Sequence, residues 1–350
     1  MEHTTIAVDL AKSVFQIAIS RRPGHVDAEH RFSRERFLTF FAQQPPATIV
    51  LEACGSAHHW ARQLQPLGHA VRLLPAHDVH RYVRRNKTDR TDAKALLEAN
   101  RNTELHAVPI KTIELQAVAS LHRLRSTWIA TRTARLNTIR GLLREFGIFI
   151  PVGASRVVPR VRDLLADPMS PVPDLLRSPL GSACDEIDTL EDNIQVIERQ
   201  LANFAHQIAT VPLLQTIPGV GLLTATALVA LVGDIHRFGS GRHFASFLGL
   251  TPKEYSSASR RRLGAISKRG DVYLRTLLVQ AARSVLWRAR GAAQPTGFQR
   301  WARSTQQRRG HNIAAVAVAN KLARIAWAVW STQRAFAAER ATPGRDGLDD

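Results

Sequence analysis

Cysteine is almost missing from this chain: Cys54 and Cys184 are the only two, and they form no CxxC pair. A disulfide scaffold and a zinc ribbon are thereby excluded, and a reducing, cytoplasmic setting is expected. Acid is scarce beside base, with 29 Asp plus Glu against 48 Lys plus Arg, a net charge of +19. Such an excess suits a polyanion, and nucleic acid is the first candidate. No apolar run reaches the length expected of a membrane span, and the N-terminus lacks the charged-then-apolar order of a signal peptide. No membrane partner is expected. There is also no Walker phosphate loop, no HExxH and no internal repeat.

What is present suffices for two or three domains, since 45% of the 350 residues are apolar and a chain of this size can bury substantial cores. Residues 4–20, "TTIAVDLAKSVFQIAIS", alternate as a strand, a tight turn and a second strand. "ATIVLEAC" (47–54) and "HAVRLLPA" (69–76) read as further strands, with a helix between them. Strand–helix–strand order predicts an α/β domain with a largely parallel sheet, spanning 1–108 and closed by a helix beginning near Lys87.

Residues 109–210 change character. A helical period runs over 112–147, a Pro-rich stretch over 158–181 reads as a loop or short-helix connector, and a long amphipathic helix covers 184–210. A helical hairpin or coiled-coil arm is expected. A helical domain follows over 211–335. Its "LLQTIPGVGLLTATALVALVGD" predicts a helix-hairpin-helix, in which Gly219 and Gly221 let backbone amides approach a phosphate. The alternative is a Gly-rich turn between packed helices. The polar tail, 336–350, is expected to be disordered.

The chemistry concentrates on four carboxylates. In "NKTDRTDAKALL" Asp89 and Asp92 stand three apart, on one helical face. Asp9 lies within the first strand, "IAVDLAKS", and Glu52 ends a later one, "IVLEACGS". A carboxylate after an apolar run is costly unless it is paired or metal-bound. Any one of these acids alone is more often a cap or a surface pair. Together, at the ends of adjacent strands and amid cations, they suit Mg²⁺ or Mn²⁺, and two such ions roughly 4 Å apart drive phosphodiester chemistry. Lys87 and Arg90 would relieve local repulsion or contact phosphate. The His-bearing "AHH" (57–59) and "HDVH" (77–80) lack metal-site spacing and read as helix surface or nucleic-acid contact, and Trp327 and Trp330 read as core.

The order of these acids resembles that of RuvC-like nucleases, on a ribonuclease-H-like fold. "VDLAKSVFQIAI", "LEACGSAHHWARQL" and "NKTDRTDAKALL" resemble the N-terminal domain of the DEDD-type insertion-sequence transposases, serine-containing recombinases guided by a bridge RNA. "IPGVGLLTATALVALVGDIHRF", "FLGLTPKEYSSASRRRLGAISKRGDVYLRTLL" and "NKLARIAWAV" resemble the second domain of the same family. The resemblance covers nearly the whole chain except the Pro-rich connector and the tail. It implies that Asp9, Glu52, Asp89 and Asp92 bind metal and that Ser257 is the nucleophile. In "YSSAS", Ala258 stands where the family has glycine, so Ser256 is the neighbouring alternative. Arg260, Arg261, Arg262, Lys268 and Arg269 would hold the scissile phosphate and stabilise its charge, or form only a solvated basic face.

The implied protein is a transposase that joins donor and target DNA through a serine–DNA intermediate, with an element-encoded guide RNA. It would act as a homo-oligomer, at least a dimer and a tetramer at synapsis, in the cytoplasm on the nucleoid. The metal and serine parts would come from one protomer or from two. The competing readings are a RuvC-like endonuclease or junction resolvase using water, and a nucleic-acid-binding protein without catalysis. On every reading, affinity for DNA or RNA falls steeply with added salt, because counterion release dominates such binding. Titration of a labelled duplex over a salt series checks this, and a flat log–log plot would refute a phosphate-gripping surface.

Overall fold

The computed structural model describes residues 4–82, 89–257 and 260–337, with only the backbone for Asp89 and Arg90. Lys87 and the tail from 338 onward lie outside the described residues. The chain forms two compact units, Met1–Glu114 and Leu115–Asp350. The residues expected to form an arm and a separate helical domain share the second.

In the first unit the elements run β1 (Thr5–Leu10), β2 (Val14–Ser20), β3 (Ala28–Ser33), α1 (Arg34–Ala42), β4 (Thr48–Glu52), α2 (Ala57–Leu64), β5 (Ala70–Leu74), α3 (Ala76–Val79) and α4 (Asp89–Arg101). The five strands lie in the order β3-β2-β1-β4-β5. β1–β2 and β2–β3 are antiparallel, while β1–β4 and β4–β5 are parallel. The sheet is therefore mixed, not largely parallel. The expectation missed β3, an edge strand whose Glu29, His30 and Arg31 break the apolar alternation.

The two sheet faces differ in side-chain size. Ile6, Val8, Phe15, Ile17, Ile49 and Leu51 pack against α1 and α2 through Phe37, Phe41, Trp60 and Leu64. There Phe15, Phe37 and Trp60 meet edge to face, with centroids 4.8–5.2 Å apart. The opposite face offers Ala7, Ala18, Val50 and Leu74, and α4 lies on it through Ala93, Leu96 and Ala99. Small residues on both sides let helix and sheet approach closely.

The second unit runs α5 (Ile113–Glu145), α6 (Val157–Ala166), α7 (Asp174–Gln207), α8 (Thr210–Gln215), α9 (Leu222–Val232), α10 (Gly241–Phe247), β6 (Pro252–Glu254), β7 (Leu263–Ile266), α11 (Val272–Gly291), α12 (Gly297–Arg309) and α13 (His311–Thr332), with α5 starting two residues before the boundary. α5 and α7 are antiparallel. Arg125 pairs with Glu198 at 2.7 Å, Arg132 with Glu191 at 3.5 Å and Arg135 with Glu186 at 2.8 Å, so the partner number falls as the α5 number rises. Surface pairs of this kind contribute little one by one; together they set register. α7 begins ten residues earlier than expected and runs through Pro179. Proline there forfeits one backbone hydrogen bond near the helix start, and burial of Leu180, Cys184 and Ile187 in the distal arm core offsets that loss.

α13 corrects a second expectation. It is 22 residues long and apolar enough, by length and composition, to cross a membrane. Its Ala315, Val318, Ala319, Leu322, Ala323 and Ala326 are buried within the unit's largest core, beside α8, α10, α11 and α12. Beyond it the chain turns back: Phe336 packs on the same core and its N–H donates to Thr216 Oγ1 at 2.9 Å.

One buried polar chain ties three of these helices together. Thr226 Oγ1 donates to Leu222 O at 2.8 Å. It therefore accepts from His122 Nε2 (3.1 Å), leaving Nδ1 to accept the Tyr273 hydroxyl proton (3.0 Å). This arrangement requires neutral imidazole. Burial, and then the Arg125 charge, pushes His122 down to about 4. An unfolded histidine titrates near 6.5, so the unfolded chain takes up a proton between about pH 6.5 and 4 that the folded one refuses. Stability should fall by on the order of 3 kcal/mol as pH drops through that window. Thermal melts across the range check this; His122→Gln should show a shallower acid-side fall, and an unchanged slope would refute the assignment.

Candidate functional site

The parallel register of β1 and β4 runs to Val8 opposite Leu51. One step further along each strand stand Asp9 and Glu52, side by side at the strand ends. Side chains alternate across a sheet, so Asp9 shares its face with Ala7 and Glu52 with Val50, the face that α4 covers. α4 packs on β1, β2 and β4 and carries Asp92 one residue before the buried Ala93. Asp92 Oδ1 is itself buried and has no hydrogen-bond partner among the described residues, a state that costs roughly 1–3 kcal/mol. Cys54 reports the shared field: burial, then Glu52 and Asp9, push its thiol upward. Asp89 opens α4, one turn before Asp92, but its side chain, like that of Arg90, lies outside the described residues. Among the described residues no three His, Cys, Asp or Glu side chains form a metal-ligand group. A recess of about 730 Å³ opens elsewhere, beside Thr5 at the opposite end of β1.

Ser257 lies at the tip of a β6–β7 hairpin. Its N–H and carbonyl pair with those of Arg260 at 3.2 and 3.0 Å. It is exposed, and its hydroxyl makes no hydrogen bond among the described residues; Ala258 lies outside them. Ser256 is engaged differently. Its Oγ donates to Glu254 Oε1 at 2.6 Å and accepts the Arg262 N–H at 3.1 Å. Arg260, Arg261, Arg262, Lys268 and Arg269 are all exposed, with Arg261 4.0 Å from Glu254.

The hairpin base is clamped. A Cβ on Gly270 would sit 2.1 Å from Phe247 O, and one on Gly249 2.8 Å from Arg269 N. Arg275 donates to Leu248 O and Gly270 O, and Asn320 donates to Leu250 O. Lys268 is held at φ +56°, and its N–H donates to Gly249 O. A non-glycine residue in that region stores strain. Sequence reasoning missed Arg275 and Asn320, because the Leu248 and Leu250 carbonyls that they hold lie 27 and 70 residues away along the chain.

The glycines of "PGVG" divide. Gly219 has φ +84°, and a Cβ there would meet Ala281 O at 2.5 Å, so close packing on α11 demands glycine. Gly221 caps α9 in open space. It borders a recess of about 500 Å³ that also holds Glu198, Gln280 and Ser284.

Comparison with known proteins follows this division. A transposase family of the DEDD type matches residues 6–148, and the family described as "Transposase IS116/IS110/IS902 family" matches 211–296. A "Probable family 20 transposase" of Pseudomonas aeruginosa is 41% identical over 338 residues, 96% of this chain and 99% of its own length. The chain belongs to the IS116/IS110/IS902 family of transposases. Its relatives include the transposase for insertion sequence element IS1111A of Coxiella burnetii, 36% identical over 95% of this chain and 90% of its own. The transposase for IS1328 of Yersinia enterocolitica is 37% identical over 95% and 98%. As a family member the transposase acts on DNA. The first matched region holds all four carboxylates and the second holds Ser257.

The unpartnered Asp92 oxygen carries an expectation of its own. Asp92→Asn replaces a half-buried carboxylate with a neutral amide of the same shape, and should leave metal-free stability at or above the wild-type value while abolishing transposition. Paired thermal melts and excision assays check this; a lower melting temperature would refute it.

Proposed function

We propose that this transposase cuts and rejoins DNA through a covalent serine–DNA step, with a divalent cation held by Asp9, Glu52, Asp89 and Asp92. The carboxylate set fits a hard cation: two acids stand just past the last paired residues of neighbouring parallel strands, a third lies on the same face, and its buried oxygen lacks a partner among the described residues. When bound, Mg²⁺ or Mn²⁺ would polarise the phosphodiester and stabilise its developing charge.

The observation that carries the serine reading is the exposed Ser257 hydroxyl at the tip of a clamped hairpin surrounded by cations. Ser257 Oγ would attack phosphorus as its proton leaves, an Oγ–P bond forming as the bond to one sugar oxygen breaks. The released sugar hydroxyl would take a proton, and a second strand's hydroxyl would later reverse the exchange, conserving bond energy without ATP. Arg260, Arg261, Arg262, Lys268 and Arg269 would hold the phosphate, and the amides before α9 at Gly221 would take a neighbouring one. A second reading has its own support: Ser256 already donates to a carboxylate at 2.6 Å, the geometry of a nucleophile with its base. A guide RNA read against donor and target, and a dimer assembling to a tetramer at synapsis, complete the proposal. The family resemblance and the +19 charge support them.

The test incubates protein, element-end RNA and labelled donor and target DNA with Mg²⁺, then resolves products under denaturing, protease-free conditions. A protein–DNA adduct lost in Ser257→Ala and in Asp89→Ala is expected. Loss only in Ser256→Ala moves the nucleophile by one residue. Free cleaved ends indifferent to both serine changes would leave a RuvC-like nuclease using water.

A further inference from the structure

Trp287 is 75% exposed, whereas the other five tryptophans are buried or half-buried. It stands on the solvent stripe of α11, where Thr276, Gln280, Arg283, Trp287 and Arg290 follow one another at helical spacing, all exposed. Arg283 precedes it by four residues and Arg290 follows by three, so both flank the indole on one face. Among the described residues neither arginine has a carboxylate partner, no ring or cation stacks on the indole, and its N–H makes no hydrogen bond. The arm differs, since its arginines at 125, 132 and 135 are each neutralised across the hairpin. Charge sharpens the contrast. From 272 to 338 the chain has 11 Lys plus Arg and no Asp or Glu.

We infer that Trp287 is a stacking platform for an unpaired nucleobase, with Arg283 and Arg290 gripping the flanking phosphates. An indole face accepts any base, and cations spaced along the same stripe track a strand's backbone. α11 begins one residue beyond Asp271, its cap, which directly follows Lys268, Arg269 and Gly270, so a strand bound at Trp287 would lie along the helix that leaves the serine hairpin. A self-complementary contact with a second copy fits poorly, because it would set free arginines against free arginines. A membrane surface fits poorly too, because Thr276 and Gln280 keep the stripe from being continuously apolar. The inference deepens the proposed function by naming single-stranded nucleic acid as a ligand of the second unit, and it rests on that reading only for where the strand comes from.

The test uses the full-length protein, tryptophan emission and the anisotropy of labelled oligo(dT), oligo(U) and a matched duplex. Both single strands should quench wild-type emission. Trp287→Ala should lose most of the quenching and weaken single-strand binding by roughly 10-fold, with duplex binding little changed. Trp287→Phe should restore most of the affinity, and Arg283→Ala with Arg290→Ala should flatten the salt dependence by about 1.4 in log–log slope. Tighter binding of oligo(U) would assign the strand to RNA, and tighter binding of oligo(dT) to DNA. Wild-type single-strand affinity in Trp287→Ala would overturn the inference, as would equal loss on duplex. So would a change of sedimentation with nucleic-acid binding intact, which would make the face a protein contact. Binding is read without cleavage, so a Ser257→Ala protein that forms no adduct still reports on Trp287.

Discussion

Two parallel strands locked in one register decide where the first unit concentrates its negative charge. Once Val8 faces Leu51, Asp9 and Glu52 have no choice but to emerge together, on the face where Ala7 and Val50 are small enough for α4 to settle. A slip by one residue would turn one acid into the aromatic core on the other side. The Phe15, Phe37 and Trp60 cluster thus protects the acids' placement as well as stability. Among the described residues the buried oxygen of Asp92 on that same face finds no hydrogen-bond partner, so the local fold does not satisfy it.

The second unit solves a different problem, holding a mobile-looking sequence still at one end only. Gly249 and Gly270 let two backbone segments touch, and Arg275 and Asn320 tie down carbonyls that would otherwise be free. The strained Lys268 backbone is tolerated because its surroundings over-determine it. The clamp lies at the hairpin base together with Lys268 and Arg269, and the Ser257 hydroxyl lies at the tip beside Arg260. The His122 chain extends that rigidity by joining α5 and α9 to the first turn of α11.

Strands β1, β2, β4 and β5 were legible because their apolar runs alternate or sit between breakers. β3 was not, since an edge strand can carry His30 and Arg31 in place of apolar residues. The start of α7 hid behind Pro179, whose local penalty is overridden by burial that only the fold reveals. Asp9 and Glu52 could be placed at strand ends from pattern alone, but the shared face depends on register. The reason for Gly219 lies in α11, 62 residues onward along the chain, where Ala281 O occupies the space of a side chain. Trp287 was invisible as well, because one tryptophan among Leu, Val and Ala reads as core until its exposure is known.

The arm has a consequence of scale. α5 alone is 33 residues long, and at 1.5 Å per residue it extends about 50 Å. That is the length of roughly 15 stacked base pairs. Its far end carries a separate core around Leu143, Val161 and Leu180, so the arm ends in a folded knob and not in a frayed helix. One helix thus spans two cores: Val118 near its start packs with Leu201 and Ala230, and Leu143 near its end packs in the knob, so α5 holds the two at a fixed separation.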